Sequence, residues 1–402
     1  MLIKRIKYTE KISQYIGTPI IKVLTGMRRS GKSCLMKLLI ERLKEQGICS
    51  YDIIYINKEL IDFDDIRTYH DLNDYIMESK KSSSDTTYLF IDEVQEIEEW
   101  EKCVASLSAQ GGFDIYLTGS NAHLLSSELA TLLSGRYVEI PVYTLTFSEF
   151  LLFRGDEKKD LEQEFKLFLR YGGLPVLHHF RFDDEMIYSY VKDVLNAIIL
   201  KDLVQRNNIR NVSLLNNILR FVFDNVGNIF SAKKVSDYLK SQKIKSGVET
   251  VQNYLHFFCS SYVLHKVPRY DIKGKRFLEF NEKYFINDIG LHDAVLGGNQ
   301  NNISGILENI IYLELLCRGY KVSVGKQNFT EIDFIAEKQD EKIYIQVAYM
   351  LASQDTVERE FAPLLAIKNH HAKMVLSLDK FAAFSRNGIQ HKYILDFLTE
   401  HY

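Results

Sequence analysis

The sequence predicts an α/β fold. A parallel sheet with helices on both faces comes first, then a helical subdomain, a winged helix and a second, C-terminal α/β domain. Three features of the first 145 residues carry this prediction. Apolar strand-like runs alternate with helical segments, the pattern of a sheet covered on both sides. One strand-to-helix turn, VLTGMRRSGKSCLMKLL at 23–39, is basic and punctuated by Gly26 and Gly31. A second apolar run, YLFIDEVQEI at 88–97, ends in the acid pair Asp92 and Glu93.

In chain order, strands are expected at Ile20–Thr25, Ile53–Asn57, Tyr88–Asp92, Phe113–Gly119 and Tyr137–Val142. Helices are expected between them at Lys32–Gln46, Tyr69–Ser79, Glu98–Ala109 and Asn121–Leu132. These elements make up a first domain, 1–146. From Phe147 the strand pattern stops. TFSEFLLFRG opens with a Thr/Ser cap ahead of an apolar helical repeat, and QEFKLFLRYGGLPVL closes on Gly172, Gly173 and Pro175. This helical subdomain runs over 147–211.

In 212–296, helices at Leu214–Asn225, Ala232–Ser241 and Val248–Ser260 precede a two-stranded hairpin, a winged-helix pattern. The helix in the recognition position carries Glu249, Gln252, Asn253 and His256 but no Lys or Arg. Basic residues lie beside it at Lys240, Lys243 and Lys245, and on the wing at Lys266, Arg269, Lys273, Lys275 and Arg276. DNA contact and a protein-interaction role both stay open. GGNQNN at 297–302 reads as a linker, and 303–402 as a last domain of helix, three strands and a further helix–strand pair.

The loop at 26–33 has the chemistry of a phosphate cradle. Its G-x-x-x-x-G-K-[ST] spacing lets the backbone curl so that several N–H groups point inward, and the following helix adds the positive end of its dipole. Gly26, Arg29, Ser30, Gly31, Lys32, Ser33 and Cys34 are the candidate contacts, with Lys32 for the β- and γ-phosphates and Ser33 for Mg²⁺. The strand before the loop and the apolar helix face Leu35, Leu38, Leu39 and Leu43 after it supply the context that a chance match lacks. Asp92, at the carboxyl end of a buried strand, is placed to hold Mg²⁺, and Glu93 to polarise an attacking water.

Bulk composition narrows the class. The chain has 402 residues, 46% hydrophobic and 26% charged, with 5 prolines and no low-complexity tract, which suits several folded domains rather than a disordered protein. A formal net charge of −3 gives no global pull toward nucleic acid. The five cysteines are scattered without a C-x-x-C pair, which excludes a disulfide framework or zinc ribbon and fits a reducing compartment. The amino-terminal MLIKRIKYTEKISQYIG has an amphipathic rhythm but no apolar signal region. No stretch approaches the ~18 apolar residues of a membrane span. A cytoplasmic location without membrane contact is expected.

With TGMRRSGKS, FIDEVQEI, LTGSNAHLL, LSGRY, RYGGLP, KYFINDIGL and the 305–350 segment in view, nearly the whole chain resembles a prokaryotic AAA-type ATPase family with a C-terminal domain of unknown function. The resemblance implies a P-loop AAA+ fold that uses ATP and Mg²⁺. It implies a phosphate-sensing residue at Ser120 or Asn121. Arg136 is either an arginine supplied to a γ-phosphate, in related proteins often that of a neighbouring subunit in a homo-oligomer, or a surface ion-pair partner. Arg28 and Arg29 either touch phosphate or pair with nearby acids.

The tail is similar to the restriction-endonuclease-like fold. Glu308 and Asp333 match its helix glutamate and strand aspartate, while the expected E-x-K reads Gln346-Val347-Ala348, which implies a degenerate nuclease domain without its lysine. Three functions follow. The first is an ATPase that repositions C-terminal modules on DNA or a protein partner. The second is a regulatory nucleotide-binding protein with little turnover, and the third an ATP-dependent nuclease.

Overall fold

The computed structural model describes residues 3–80, 85–122, 133, 135–297, 302–380 and 385–400. The helix expected at Asn121–Leu132 lies almost wholly outside them. Two compact units form, one of residues 1–142 with 260–262, the other of 143–259 with 263–402.

In the first unit, β1 (Ile21–Thr25), β2 (Ile53–Asn57), β3 (Thr87–Asp92), β4 (Phe113–Gly119) and β5 (Tyr137–Pro141) build one sheet in the order β2-β3-β4-β1-β5. Every pairing is parallel. Side chains alternate across it. Val23, Leu89, Ile91, Ile115 and Leu117 pack with apolar residues of the helices Tyr69–Ser79 and Trp100–Gln110. Leu24, Phe90 and Tyr116 pack on the other face with helices Ile6–Ser13 and Lys32–Glu45. Burial on both faces is why these strands are nearly continuous apolar runs. Helix Ile6–Ser13 accounts for the amino-terminal rhythm, with Tyr8 and Ile12 as its buried stripe.

Parallel pairing also gathers the strands' carboxyl ends on one edge. Thr25, Asn57, Asp92 and Gly119 all end their strands there, and the connecting loops carry the polar residues of the candidate site.

The second unit opens with helices Phe147–Arg154, Leu161–Tyr171 and Asp184–Ala197, the last running on into a π-helical segment at Ile198–Gln205. Thr146 forms the expected cap, closing a reciprocal capping box with Glu149. Gly172 and Gly173 are there for close approach. A Cβ on Gly172 would fall 2.0 Å from Asp288 Oδ1, and one on Gly290 would fall 2.1 Å from the Tyr171 carbonyl. Asp288 accepts the Gly173 and Gly290 N–H groups, each at 2.9 Å, and burial pushes its pKa up to about 6. The RYGGLP and NDIG motifs thus interlock with each other.

Helices Val212–Asp224, Ala232–Ser241 and Val248–Ser260 follow, interleaved with β6 (Ile229–Phe230), and lead into the hairpin β7 (Leu264–Asp271) and β8 (Arg276–Ile286). After helices Gly290–Leu296 and Ile303–Cys317 come β9 (Lys321–Gln327), β10 (Thr330–Lys338), β11 (Glu341–Ala348), helix Gln354–Leu365, β12 (Ala372–Ser377), β13 (Ser385–Arg386) and β14 (Ile389–Tyr393). All nine strands share one sheet, ordered β13-β14-β12-β11-β10-β9-β7-β8-β6. The hairpin expected in 212–296 and the strands expected in 303–402 therefore join, through the parallel pairing of Arg269–Asp271 with Val324–Lys326. A parallel pairing between segments some fifty residues apart leaves no mark in local periodicity. Among the described residues, no helix is long and apolar enough to cross a membrane.

Candidate nucleotide site

The loop after β1 is shaped by its glycines. Gly26 has φ 145°, and a Cβ there would fall 2.2 Å from the Val142 carbonyl, so only glycine fits. Arg29 (φ 68°) and Gly31 (φ 100°) are left-handed and turn the chain into helix Lys32–Glu45. That helix begins with no side-chain cap and no acid in its first turn. Its first N–H groups and its dipole face outward as an anion-binding end.

Lys32 is only 3% exposed. Its Nζ donates to the carbonyls of Gly26 at 3.0 Å and Met27 at 3.1 Å, and lies 3.9 Å from Glu93 Oε1. Ser33 is half-buried beside it and Cys34 is exposed. The Ser30 hydroxyl is buried without a hydrogen-bond partner. Arg5, itself buried, donates to the Ser30 carbonyl at 3.1 Å and braces the loop from behind.

β3 delivers the acids. Asp92 is fully buried and accepts from Tyr55 Oη at 3.2 Å and from the Thr118 hydroxyl. Thr118 Oγ1 also accepts the Glu93 N–H at 2.9 Å, so one hydroxyl fixes both acids. Glu93 itself is held in the left-handed region at φ 56°, costly for a residue with a side chain and tolerated where neighbours over-determine it. Ser120 Oγ donates to Glu93 Oε2 at 3.1 Å, and Gln95 donates to the same oxygen. Burial pushes the Glu93 pKa up, but the Lys32 ammonium, the Gln95 amide, Arg28 and Ser120 together hold it below the usual carboxylate value. Glu93 stays an ionised base facing the loop lysine.

The donor set fits a nucleoside triphosphate with Mg²⁺: an uncapped helix start, a buried lysine at its mouth, and a fixed carboxylate pair. Of the expected residues, Ser120 joins the cluster through its hydroxyl, while Asn121 is buried next to it in the chain. Arg28 pairs with Glu59 at 3.3 Å, and Arg29 is exposed.

Arg136 is not brought to the site. It precedes β5, whose Tyr137 pairs with Ile21 at the amino end of β1, whereas the loop follows Thr25 at the carboxyl end. Along the sheet this is about 16 Å, beyond the reach of an arginine from the same chain. Its side chain is exposed and has no ion pair among the described residues.

The second cluster, in the other unit, is built differently. Glu308 on helix Ile303–Cys317, with Glu331 and Asp333 on β10, surrounds Lys283 of β8. The Lys283 Nζ lies 2.6, 2.8 and 3.9 Å from their oxygens in that order. Lys283 is 1% exposed. Burial works against its charge, but the three carboxylates outweigh it and raise the pKa. Burial raises Glu308 as well, and burial with the Glu308 charge pushes Asp333 well up. Asp333 also accepts the Val347 N–H at 2.8 Å, and Gln346 Oε1 accepts the Asp333 N–H at 3.4 Å.

The sequence motif had lost its lysine; the fold brings another from β8, separated from β10 in the sheet by β9 and β7. In this structure an ammonium sits among the carboxylates that the resemblance assigns to a metal ion. Among the described residues no group of three or more His, Cys, Asp or Glu is arranged to hold a metal ion.

Sequence reading missed Thr118, Tyr55, Gln95, Arg5, Lys283 and Glu331. Thr118 and Gln95 stand inside the LTGS and FIDEVQ segments and were open to notice. Arg5 and Lys283 become visible only when distant strands and helices are packed.

Residues 18–151 match a family described as an AAA domain, and residues 162–302 match a domain of unknown function. An uncharacterized protein of Haemophilus influenzae is 37% identical over 401 residues, 99% of each chain. One from Methanocaldococcus jannaschii is 32% identical over 359 residues, covering 85% of this chain and 77% of that one. Among solved structures, a Walker-type ATPase of Pyrococcus abyssi has a TM-score of 0.50 at 17% identity, over 73% of this chain and 96% of that chain, a likeness of fold alone. The helix-flanked parallel sheet is thus a P-loop AAA+ fold, and the chain belongs to one family with its Haemophilus and Methanocaldococcus relatives.

Proposed function

We propose that the protein is an ATP-driven switch. ATP binds at Gly26–Cys34 with Lys32 on the β- and γ-phosphates, and Ser33 and Asp92 would hold Mg²⁺, which neutralises charge developing on the transferred phosphoryl group. Glu93 orients and polarises the attacking water. Ser120 steadies Glu93, and Asn121 remains the alternative sensor. Arg136 acts on the site of a second copy.

Cycles of binding and hydrolysis would reposition the modules behind the core. These are a helical subdomain (147–211), a winged helix (212–296) and a degenerate nuclease-like part (303–402), and their partner is DNA or another protein. The observation that supports turnover is the Glu93 clamp, an ionised carboxylate held by Ser120 and Gln95 and facing Lys32, on a backbone strained at φ 56°. A regulatory protein that merely held nucleotide would share Lys32 and Asp92 but gain nothing from that clamp.

One paired experiment tests the reading. Lys32→Ala should abolish ATP binding by calorimetry. Glu93→Gln should keep binding and lower turnover by about 10²-fold or more. Unchanged affinity in the first variant or unchanged turnover in the second rejects the corresponding role.

A further inference from the structure

Two neighbouring turns at one end of the nine-stranded sheet combine exposed aromatic rings with a cluster of cations. β7 and β9 run parallel with Asp271 opposite Lys326, and the Ile272 N–H donates to the Lys326 carbonyl at 2.9 Å. The β7–β8 turn (272–275) and the β9–β10 turn (328–329) therefore lie side by side, about 5 Å apart from strand to strand. The first turn presents Lys273, Lys275 and Arg276, all exposed, followed by Phe277 at 61% exposure. The second presents Phe329, fully exposed at its tip, beside half-buried Lys326.

None of these four cations forms a salt bridge among the described residues, though Lys326 and Arg276 lie close enough to Asp271 to lower its pKa. Other basic residues of the wing are engaged: Lys266 pairs with Glu282, and Arg269 donates to the Asn281 carbonyl. Asp271, the acid at the turn, is occupied in shaping it, accepting the Lys273 and Gly274 N–H groups at 3.1 and 3.0 Å. Phe277 is steadied edge-on against Tyr270, with ring centroids 5.2 Å apart.

We infer that this pair of turns is a binding surface for single-stranded nucleic acid, with bases stacking on Phe329 and Phe277 and phosphates meeting Lys273, Lys275, Arg276 and Lys326. A fully solvated phenylalanine at a hairpin tip forgoes the stabilisation that burial would bring, which calls for a partner with a flat apolar face. Clustered cations call for that partner to be a polyanion. Unpaired bases on a phosphate backbone supply both, whereas a duplex hides its base faces. The surface names a partner class for the switch proposed above and rests on that reading only for the existence of a partner.

The test is fluorescence anisotropy with a labelled DNA of about 20 nucleotides, single-stranded and as duplex, on the full chain without nucleotide. Single-stranded DNA should bind more tightly than duplex. Phe329→Ala should weaken it by about 10-fold. Reversing Lys273, Lys275 and Arg276 to Glu should lower the slope of log affinity against log salt by about 2. These side chains are solvent-exposed, so both variants should melt with the wild type.

Lys32→Ala should bind DNA normally, which separates failure here from failure of the ATP site. The inference is overturned if wild type does not bind, if both surface variants bind as wild type does, or if duplex wins with Phe329→Ala silent. It is equally overturned if Phe329→Ala only shifts an oligomer to monomer in sedimentation, since the face would then be a contact between copies.

Discussion

Three described lysines are almost wholly withdrawn from solvent. Lys22 is paired with Asp114 inside the first sheet, whereas the surroundings of Lys32 and Lys283 suit them to opposite work. Lys32 meets the carbonyl oxygens of Gly26 and Met27 and lies 3.9 Å from one carboxylate. It stands at the first residue of a helix with no side-chain cap, the kind of end that attracts a polyphosphate. Lys283 has three carboxylates, and negative charge exceeds its own. Its charge is met within the protein, so it gives an anion little reason to approach. Burial of a lysine is therefore not by itself a sign of function. What counts is whether local charge is short or in surplus.

The largest effect should come from outside the cluster around Lys32. Arg136 lies at the amino end of its own sheet, away from the loop; on the proposed reading it serves the site of a second copy. Arg136→Ala should lower turnover by about 10³-fold or more, with ATP binding kept. Mixing Arg136→Ala with Lys32→Ala subunits should restore part of the activity, and turnover per subunit should rise with protein concentration. No rescue, with concentration-independent turnover, would make the Lys32 site self-sufficient.

Next in size is the direct contrast between the lysines. Lys283→Ala strands buried carboxylates and should cost about 3–5 kcal/mol in chemical denaturation. Lys32→Ala, which abandons two carbonyls and a more distant acid, should cost far less stability while losing ATP. The Lys283→Ala penalty should also shrink as pH falls from 8 toward 5. Glu308 and Asp333 have raised pKa values, so above their unfolded values of 4.5 and 3.8 the folded state binds more protons than the unfolded one, and stability falls as pH rises. Without the ammonium that pull strengthens. A pH-independent penalty would mean that the carboxylates do not carry the effect.

The parallel sheet was legible because two-sided burial writes itself into sequence as apolar runs, and the phosphate loop because its glycines answer to backbone geometry. The expected candidates fall where those features put them: Lys32 opens the helix after the glycine loop, and Asp92 and Glu93 stand at the end of β3. What stayed hidden depends on packing between distant segments. Lys283 reads as one more wing lysine until β8 is placed in the same sheet as β10. Thr118 sits in a quoted motif, but its role needs β3 and β4 side by side. The pairing of β7 with β9, which merges two expected domains into one sheet, has no local signature at all.

A smaller effect isolates Thr118. Thr118→Val keeps the shape but removes a hydroxyl that donates to Asp92 and accepts from the Glu93 backbone. Losing a hydrogen bond to a charged group costs about 1.5–3 kcal/mol. Turnover should fall by roughly 10-fold with little change in KM. A raised KM with kcat untouched would place Thr118 in ground-state nucleotide binding instead.

The smallest expected effect is none, and it bears on the Lys283 cluster. If its ammonium occupies the place a divalent cation would need, adding Mn²⁺ or Mg²⁺ to the nucleotide-free chain should not raise its melting temperature through Glu308 or Asp333. Plasmid and single-stranded DNA should survive incubation with either ion. A hard cation asks for several oxygen ligands at short range, and here two of the three carboxylates lie within 3 Å of Lys283. Asp333→Ala should thus leave metal response flat while lowering stability. Cleavage that appears with Mn²⁺ and vanishes in Asp333→Ala would reverse the contrast. Lys283 would then be a partner to a metal rather than its substitute, and both units of the chain would hold a reactive site.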